Sequence, residues 1–415
     1  MAAFQAGWNF GETTESFSVS YEVKPARLAP GVYRNISGNQ ALAYGLIAAA
    51  VQARLPLFLG SYPITPASDI LHELSKHKQF GIRTFQAEDE IAGVGAALGA
   101  AFGGALGVTT TSGPGVALKA ETVGLAVTTE LPLIVVDVQR AGPSTGMPTK
   151  TEQTDLLMAL FGRNGESPVP VIAPMSPSDC FDAAVEAARI AVAYRTPVML
   201  LSDGYLANGS EPWRLPEVAA LPDISVPFTT EPNGQDGAFL PFQRDPETLA
   251  RPWAIPGTPG LEHRIGGIEK ADGTGNISYD PDNHDRMVRL RAAKVARHRR
   301  AGRGRGRPGW GRAGAGARVG FHLRGDRRWG AAGAGGGREG GPGASAASEP
   351  AALANIGEVL KHYDKVLLPE INLGQLALLL RARFLVDVIS YNRVRGLPFK
   401  AEELAGVIQD VIDSD

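Results

Sequence analysis

From Asn39 onward the chain alternates two patterns: short apolar runs, and longer stretches in which apolar positions recur at helical spacing. The apolar runs 55–59, 82–86, 106–110, 133–138, 169–173 and 198–202 predict strands, and 41–53, 66–77, 92–101, 116–129 and 178–194 predict helices. Near-continuous apolar strands separated by helices of this length indicate an α/β fold with a parallel sheet covered on both faces. Ligands of such sheets sit at the carboxyl ends of the strands, where Thr65, Glu88, Ser112 and Arg140 fall. Residues 1–33 show no strong period, although Phe4, Trp8, Phe10, Phe17 and Tyr21 offer aromatic surface. Residues 211–285, rich in Pro, Gly, Asn and Asp, read as a long connection with little regular structure, and a basic helical segment follows at 285–298. After residue 354 the pattern returns, with strands at 366–370 and 385–389 and helices at 373–383 and 402–412, the closing pieces of a smaller α/β domain.

The 415 residues allow about two cores, and an apolar share of 44% against 20% charged residues is that of a globular protein. The single cysteine, Cys180, excludes a disulfide framework and a thiolate-held iron–sulfur cluster carried by this chain alone; near the start of a helix at Ser178 it reads as a structural thiol. The seven His are scattered without ligand spacing, so no metal site is expected on this chain. Without an apolar run near twenty residues or an N-terminal signal pattern, the chain reads as cytoplasmic.

Three stretches carry candidate chemistry. In Gly60-Ser61-Tyr62-Pro63-Ile64-Thr65-Pro66-Ala67-Ser68-Asp69, Thr65 suits a helix N-cap with Pro66 at the first helical position, which is sufficient as a structural role. The same hydroxyl and positive helix end would also suit an anionic substrate group facing a cleft. In Phe85-Gln86-Ala87-Glu88-Asp89-Glu90 three carboxylates head a helix of small residues; one or two serve the helix dipole, leaving room for one turned inward. Asp137-Val138-Gln139-Arg140-Ala141-Gly142-Pro143-Ser144-Thr145-Gly146-Met147-Pro148-Thr149-Lys150 puts an Arg at a strand end before a tight Gly/Pro loop, either in solvent or aimed at a carboxylate.

Together with Thr109-Thr110-Thr111-Ser112-Gly113-Pro114-Gly115, these stretches resemble the alpha subunit of the 2-oxoacid:ferredoxin oxidoreductases, the 2-oxoglutarate type in particular. The resemblance covers about 2–283 and from 354 to the end. It implies a pyrimidine-type thiamine-diphosphate domain at 34–215, preceded by the tail of a gamma-type domain at 1–33, where Ala2-Ala3-Phe4-Gln5-Ala6-Gly7-Trp8 resembles that domain's end. A reading frame opened late or a separately encoded gamma domain would explain such a start. An irregular connection at 216–298 and the remainder of a transketolase C-terminal-like domain at 354–415, disrupted in its first half, complete the division.

By the same resemblance Glu88 is the catalytic carboxyl beside the cofactor's aminopyrimidine, desolvated by a wall of small residues, with Glu90 the rival candidate. Thr65, Arg140, Thr149 and, more weakly, Lys150 would hold the substrate, and Ser112, Gly113 and Pro114 would shape the backbone beside the cofactor. Thiamine diphosphate would be shared with a beta subunit bringing Mg²⁺, the diphosphate motif and a [4Fe-4S] cluster; here Ser202-Asp203-Gly204 lacks that motif's leading Gly. The implied reaction is oxidative decarboxylation of a 2-oxoacid to acyl-CoA with coenzyme A as co-substrate and ferredoxin as acceptor, with no membrane and no nucleic acid involved. Pyruvate or a branched 2-oxoacid would keep the family and change the substrate.

Residues 301–340 hold fifteen Gly and nine Arg but only Val319, Phe321 and Leu323 from the large aliphatic and Phe set. Outside this basic island the chain carries 32 basic and 41 acidic residues. One reading of 299–353 is a disordered Gly/Arg tether that binds polyanions in a non-catalytic remnant. The other is a compensated frameshift. Codons possible for Arg318-Val319-Gly320-Phe321-His322-Leu323-Arg324, read one nucleotide later, permit G-W-G-S-T-Y-G, which the family shows at the start of its second domain. Those for Glu349-Pro350-Ala351-Ala352 likewise permit N-P-L-P, after which the register returns.

Overall fold

A computed structural model of the chain describes residues 1–14, 21–22, 24–25, 28–301, 360, 363 and 365–414. The Gly/Arg/Ala-rich stretch 299–353 lies almost wholly outside the described residues. Among the described residues, β2 (Leu57–Ser61), β3 (Ile82–Gln86), β4 (Leu106–Thr111), β5 (Leu133–Gln139), β6 (Val171–Ile172) and β7 (Pro197–Asp203) form one sheet. Its order is β3-β2-β4-β5-β7-β6 and every pairing is parallel. All seven positions of β5 are buried, as an apolar strand covered on both faces must be.

One face is covered by α2 (Gly38–Ala53), α3 (Ser68–Leu74) and α7 (Asp179–Tyr194), whose Leu42, Leu46, Ile70, Val185 and Ile190 meet Leu57, Val136 and Leu200 of the sheet. Cys180 is buried in this layer, as a structural thiol is expected to be. The other face carries α4 (Glu90–Phe102), α5 (Gly113–Thr129) and α6 (Leu156–Phe161). After the short α8 (Gly204–Asn208), a two-stranded antiparallel ribbon pairs β1 (Tyr33–Ser37) with β8 (Ser210–Arg214).

Beyond β8 the connection has little regular structure, as expected, but it is packed: Trp253 and Phe242 are fully buried, and the Trp253 indole donates to the Ala101 carbonyl at 3.2 Å. Helix α9 (Pro281–Ala301) is anchored beneath it. The Arg244 guanidinium donates to both oxygens of Glu130 at 2.5 and 2.6 Å, and Lys294 of α9 reaches the same carboxylate. Glu130 is 1% exposed, and burial alone would raise its pKa; Lys294 and Arg244 outweigh that and hold it at about 2.

The C-terminal unit contributes β9 (Leu367–Glu370) parallel to β10 (Ile389–Asn392), with α10 (Gln375–Phe384) and α11 (Ala401–Asp413). The strand expected at 385–389 begins only at Ile389, because Leu385 is the left-handed C-cap of α10. Leu368, Leu376, Ala377 and Val388 join the core under α4 and α5. At the other end of the chain, α1 (Ala2–Thr13) buries none of its residues and leaves Phe4, Trp8 and Phe10 exposed.

Candidate active site

The carboxyl edge of the sheet gathers the expected residues. Arg140 follows the last residue of β5, and its Nη1 donates to the Thr65 carbonyl at 2.7 Å, joining the loops after β5 and β2. Arg140 is 5% exposed, so it is not a strand-end Arg in solvent, and its Nε has no acceptor among the described residues. Thr65 is exposed and does not cap a helix: α3 starts at Ser68 after Ala67. The Ser68 hydroxyl closes that turn instead, accepting from the Ile64 N–H at 2.8 Å and donating to the Ile64 carbonyl at 3.1 Å. Thr65 is thereby left exposed beside the Arg140 bond.

The three acids divide their roles. Asp89 is the N-cap of α4, accepting from Ala92 N at 2.8 Å. Ala87 extends the β2 ladder by donating to the Ser61 carbonyl at 2.7 Å and turns inward, so the next residue, Glu88, points out and is exposed. The small-residue helix therefore does not desolvate Glu88 within this chain. The carboxyl that turns inward is Glu90, beside the Tyr62 phenol. Tyr62 Oη lies 2.9 Å from Thr111 Oγ1, and a Cβ on Gly115 would come within 2.0 Å of Thr111 Oγ1 and 2.3 Å of Tyr62 Oη, so only glycine fits there. Burial pushes the Tyr62 phenol well up and pulls the Lys119 ammonium down to about 8. Lys119 is fully buried, donates to the Glu90 carbonyl at 2.7 Å and lies 4.8 Å over the Tyr62 ring. The position of Lys119 on a buried face of α5 is its sequence signal, a lone charge among Val116, Val123 and Val127.

Ser112 is the N-cap residue of α5, with Pro114 in the helix's first turn, but its buried hydroxyl makes no cap bond and has no partner among the described residues. The next strand end is a structural anchor. Asp203 accepts from Tyr205 N, Leu206 N and Thr151 Oγ1 on one oxygen and from Gln153 Nε2 on the other at 2.7–3.1 Å, a cap and loop anchor. Between Arg140 and Thr151 the chain makes a tight excursion in which the Ala141 N–H donates to the Lys150 carbonyl at 2.9 Å; Thr149 and Lys150 are exposed on it. Its continuation carries Asp155, whose carboxyl meets that of Asp137 on β5.

A parallel sheet of this order, with a buried Arg, an unpaired Ser and a string of acids at its carboxyl edge, is that of an α/β ligand-binding domain. The family described as pyruvate flavodoxin/ferredoxin oxidoreductase, thiamine diphosphate-binding, matches residues 48–279, and the chain belongs to it. It is 58% identical over 418 aligned positions to the 2-oxoglutarate oxidoreductase subunit KorA of Mycobacterium tuberculosis, an alignment taking in 98% of this chain and 62% of the relative. The chain thus spans less than two thirds of that relative's length. The 2-oxoglutarate synthase subunit KorA of Methanothermobacter marburgensis is 36% identical over 64% of this chain and 68% of its own. In structure the chain is similar to the 2-oxoglutarate:ferredoxin oxidoreductase of Magnetococcus marinus, solved with 2-oxoglutarate, coenzyme A and succinyl-CoA bound. The TM-score there is 0.78 at 30% identity, covering 99% of this chain and 70% of the other.

Proposed function

We propose that this chain is the alpha subunit of a thiamine-diphosphate-dependent 2-oxoglutarate:ferredoxin oxidoreductase, which converts 2-oxoglutarate, coenzyme A and oxidised ferredoxin to succinyl-CoA, CO₂ and reduced ferredoxin in the cytoplasm. The observation that carries this reading is the Arg140–Thr65 junction: a buried guanidinium with an unused N–H, fixed at the sheet edge that also presents Glu88 and Ser112. Arg140 suits a planar grip on the substrate carboxylate, and its backbone bond to Thr65 pre-orients it. The Thr65 hydroxyl serves the 2-oxo acid group, with Thr149 and Lys150 on the adjoining excursion.

The residues present fit the cofactor. The orphaned Ser112 hydroxyl and the Gly113-Pro114-Gly115 backbone allow close approach, and Glu88 stands free to share a proton with a ring nitrogen. Thiamine diphosphate, when bound, supplies the acidic ring carbon that attacks a 2-oxo group and takes up the electrons released with CO₂. A beta subunit brings Mg²⁺, the diphosphate contacts and the iron–sulfur cluster, consistent with the lone, buried Cys180. Its seat is the outward face of α4, where Ile91, Ala92, Gly95 and Gly99 are exposed and Ile91 to Phe102 carry no polar side chain. Closure by that subunit would desolvate Glu88.

The test is reconstitution of this chain with its beta partner and ferredoxin. Reduction of ferredoxin that depends on 2-oxoglutarate and coenzyme A, and exceeds that with pyruvate, supports the reading. A chain that copurifies with no beta subunit and reduces no ferredoxin contradicts it.

A further inference from the structure

Asp137 is fully buried on β5, directly across from Thr111 of β4, and neither of its carboxyl oxygens has a donor among the described residues. Asp155, 8% exposed, meets it from the loop before α6, and its Oδ2 is likewise without a donor. Asp155 occupies the N-cap position of α6, where an Asp ordinarily accepts a backbone N–H, yet makes no such bond. Its carboxyl lies against Gly113 instead: a Cβ there would stand 2.7 Å from Oδ2 and 2.8 Å from Oδ1.

The backbone around Asp155 is held from three sides. Its N–H donates to Gln139 Oε1 at 3.0 Å, while Gln139 Nε2 donates to the Ser202 carbonyl at 3.1 Å. From the C-terminal unit, Gln375 accepts from Leu157 N at 3.0 Å and donates to the Thr154 carbonyl at 2.5 Å, and Asn372 donates to the Gln153 carbonyl at 2.8 Å. A loop anchored in this way presents its carboxyl to a second buried carboxyl, and two ionised groups cannot remain there together without donors.

We propose that Asp137 and Asp155 hold one proton between them, and that this shared proton seats the 149–155 loop against Gly113, making Asp155 a positioning residue for the substrate edge. This rests on the function proposed above only for its activity readout. The protonated carboxyl donates to the ionised one, so a contact that would repel becomes a hydrogen bond. Thr149 and Lys150 lie at the start of that loop, and Gly113 lies beside the segment read as shaping the cofactor site. The charged groups that face the pair are Glu152 on the same loop and Arg140 at the end of β5; β4, α5 and the C-terminal loop present Thr111, Gly113, Gln375 and Asn372, all uncharged. Burial raises the Asp155 carboxyl to about 6, and Asp137 further. A raised folded pKa gives stability that is full below the unfolded value near 4 and lost as pH rises through the folded value.

The experiment uses the full chain with its beta partner and the variants Asp137→Asn, Asp155→Asn and Asp155→Leu. Infrared spectra in H₂O and D₂O at neutral pH should show a protonated-carboxyl band that Asp137→Asn and Asp155→Asn both abolish. Melting temperature followed from pH 5 to pH 8 should fall more steeply for wild type than for Asp137→Asn, by about 3–5 °C. Asp155→Asn, which keeps an N–H donor facing Asp137, should rescue much of the rise in KM for the 2-oxoacid that Asp155→Leu produces. The band and the melting profile are read without turnover, so they test the proton even if the activity proposed above fails. A carboxyl band untouched by either Asn variant, with wild type and Asp137→Asn melting in parallel across the range, overturns the proposal.

Discussion

Arg140 Nη1 donates to the Thr65 carbonyl at 2.7 Å across a sequence separation of 75 residues, so the carboxyl ends of β5 and β2 are bonded to each other by the group best suited to grip a substrate carboxylate. The bond leaves Nε and the second terminal nitrogen to other partners. Arg140→Lys keeps the charge and loses the planar fork. Removing a charge-assisted hydrogen bond is worth about 1.5–3 kcal/mol, so Arg140→Lys should lower kcat/KM for the 2-oxoacid by about 10- to 100-fold. The loss should appear mainly as a higher KM in steady-state kinetics of the reconstituted complex, with melting temperature changed little. An unchanged KM would remove Arg140 from the substrate site.

Glu130 makes a second kind of prediction, about stability. It receives Arg244 and Lys294 in a buried cluster that ties α9 to the end of α5, so Glu130→Gln leaves two cations buried with one counter-ion removed. The expected cost is about 3–5 kcal/mol in denaturant unfolding. Because the folded pKa is depressed, the stabilisation is present above the unfolded value near 4.5 and lost as pH falls toward about 2. Wild type should therefore lose stability relative to Glu130→Gln on acidification through that window.

A third prediction concerns the sequence itself. The alignment with the Mycobacterium tuberculosis relative takes in 98% of this chain, so residues 299–353 fall within the aligned span. The coding DNA, read one base later from about Arg299 to Leu353, should yield G-W-G-S-T-Y-G and periodic apolar positions. A stop codon in that frame, or no periodicity, would leave the Gly/Arg stretch as real protein.

The parallel sheet was legible because its strands are buried on both faces and their apolar runs continue without polar interruption, as in 133–138 against β5. Helix α1 was not, since it buries none of its residues and so has no inward stripe to read. Thr65 has the sequence signature of an N-cap, but Ser68 closes the turn three residues later, a choice that only the path of the backbone decides. Glu88, Asp89 and Glu90 are chemically alike in a string of letters; the extra ladder bond of Ala87 turns one out and another in. The Asp137–Asp155 pair depends on the register of β5 and on a loop fastened by Asn372 and Gln375 from the far end of the chain, which no local pattern announces.

The most direct test of the account compares Glu88→Gln with Glu90→Gln in the reconstituted complex, with thiamine diphosphate occupancy measured alongside the rate. Glu88→Gln should bind the cofactor and lose about 10²- to 10⁴-fold in kcat, while Glu90→Gln, which alters the inward carboxyl beside Tyr62, should lose less. A normal rate for Glu88→Gln at full occupancy, with collapse in Glu90→Gln, would contradict the assignment and move the catalytic carboxyl to Glu90.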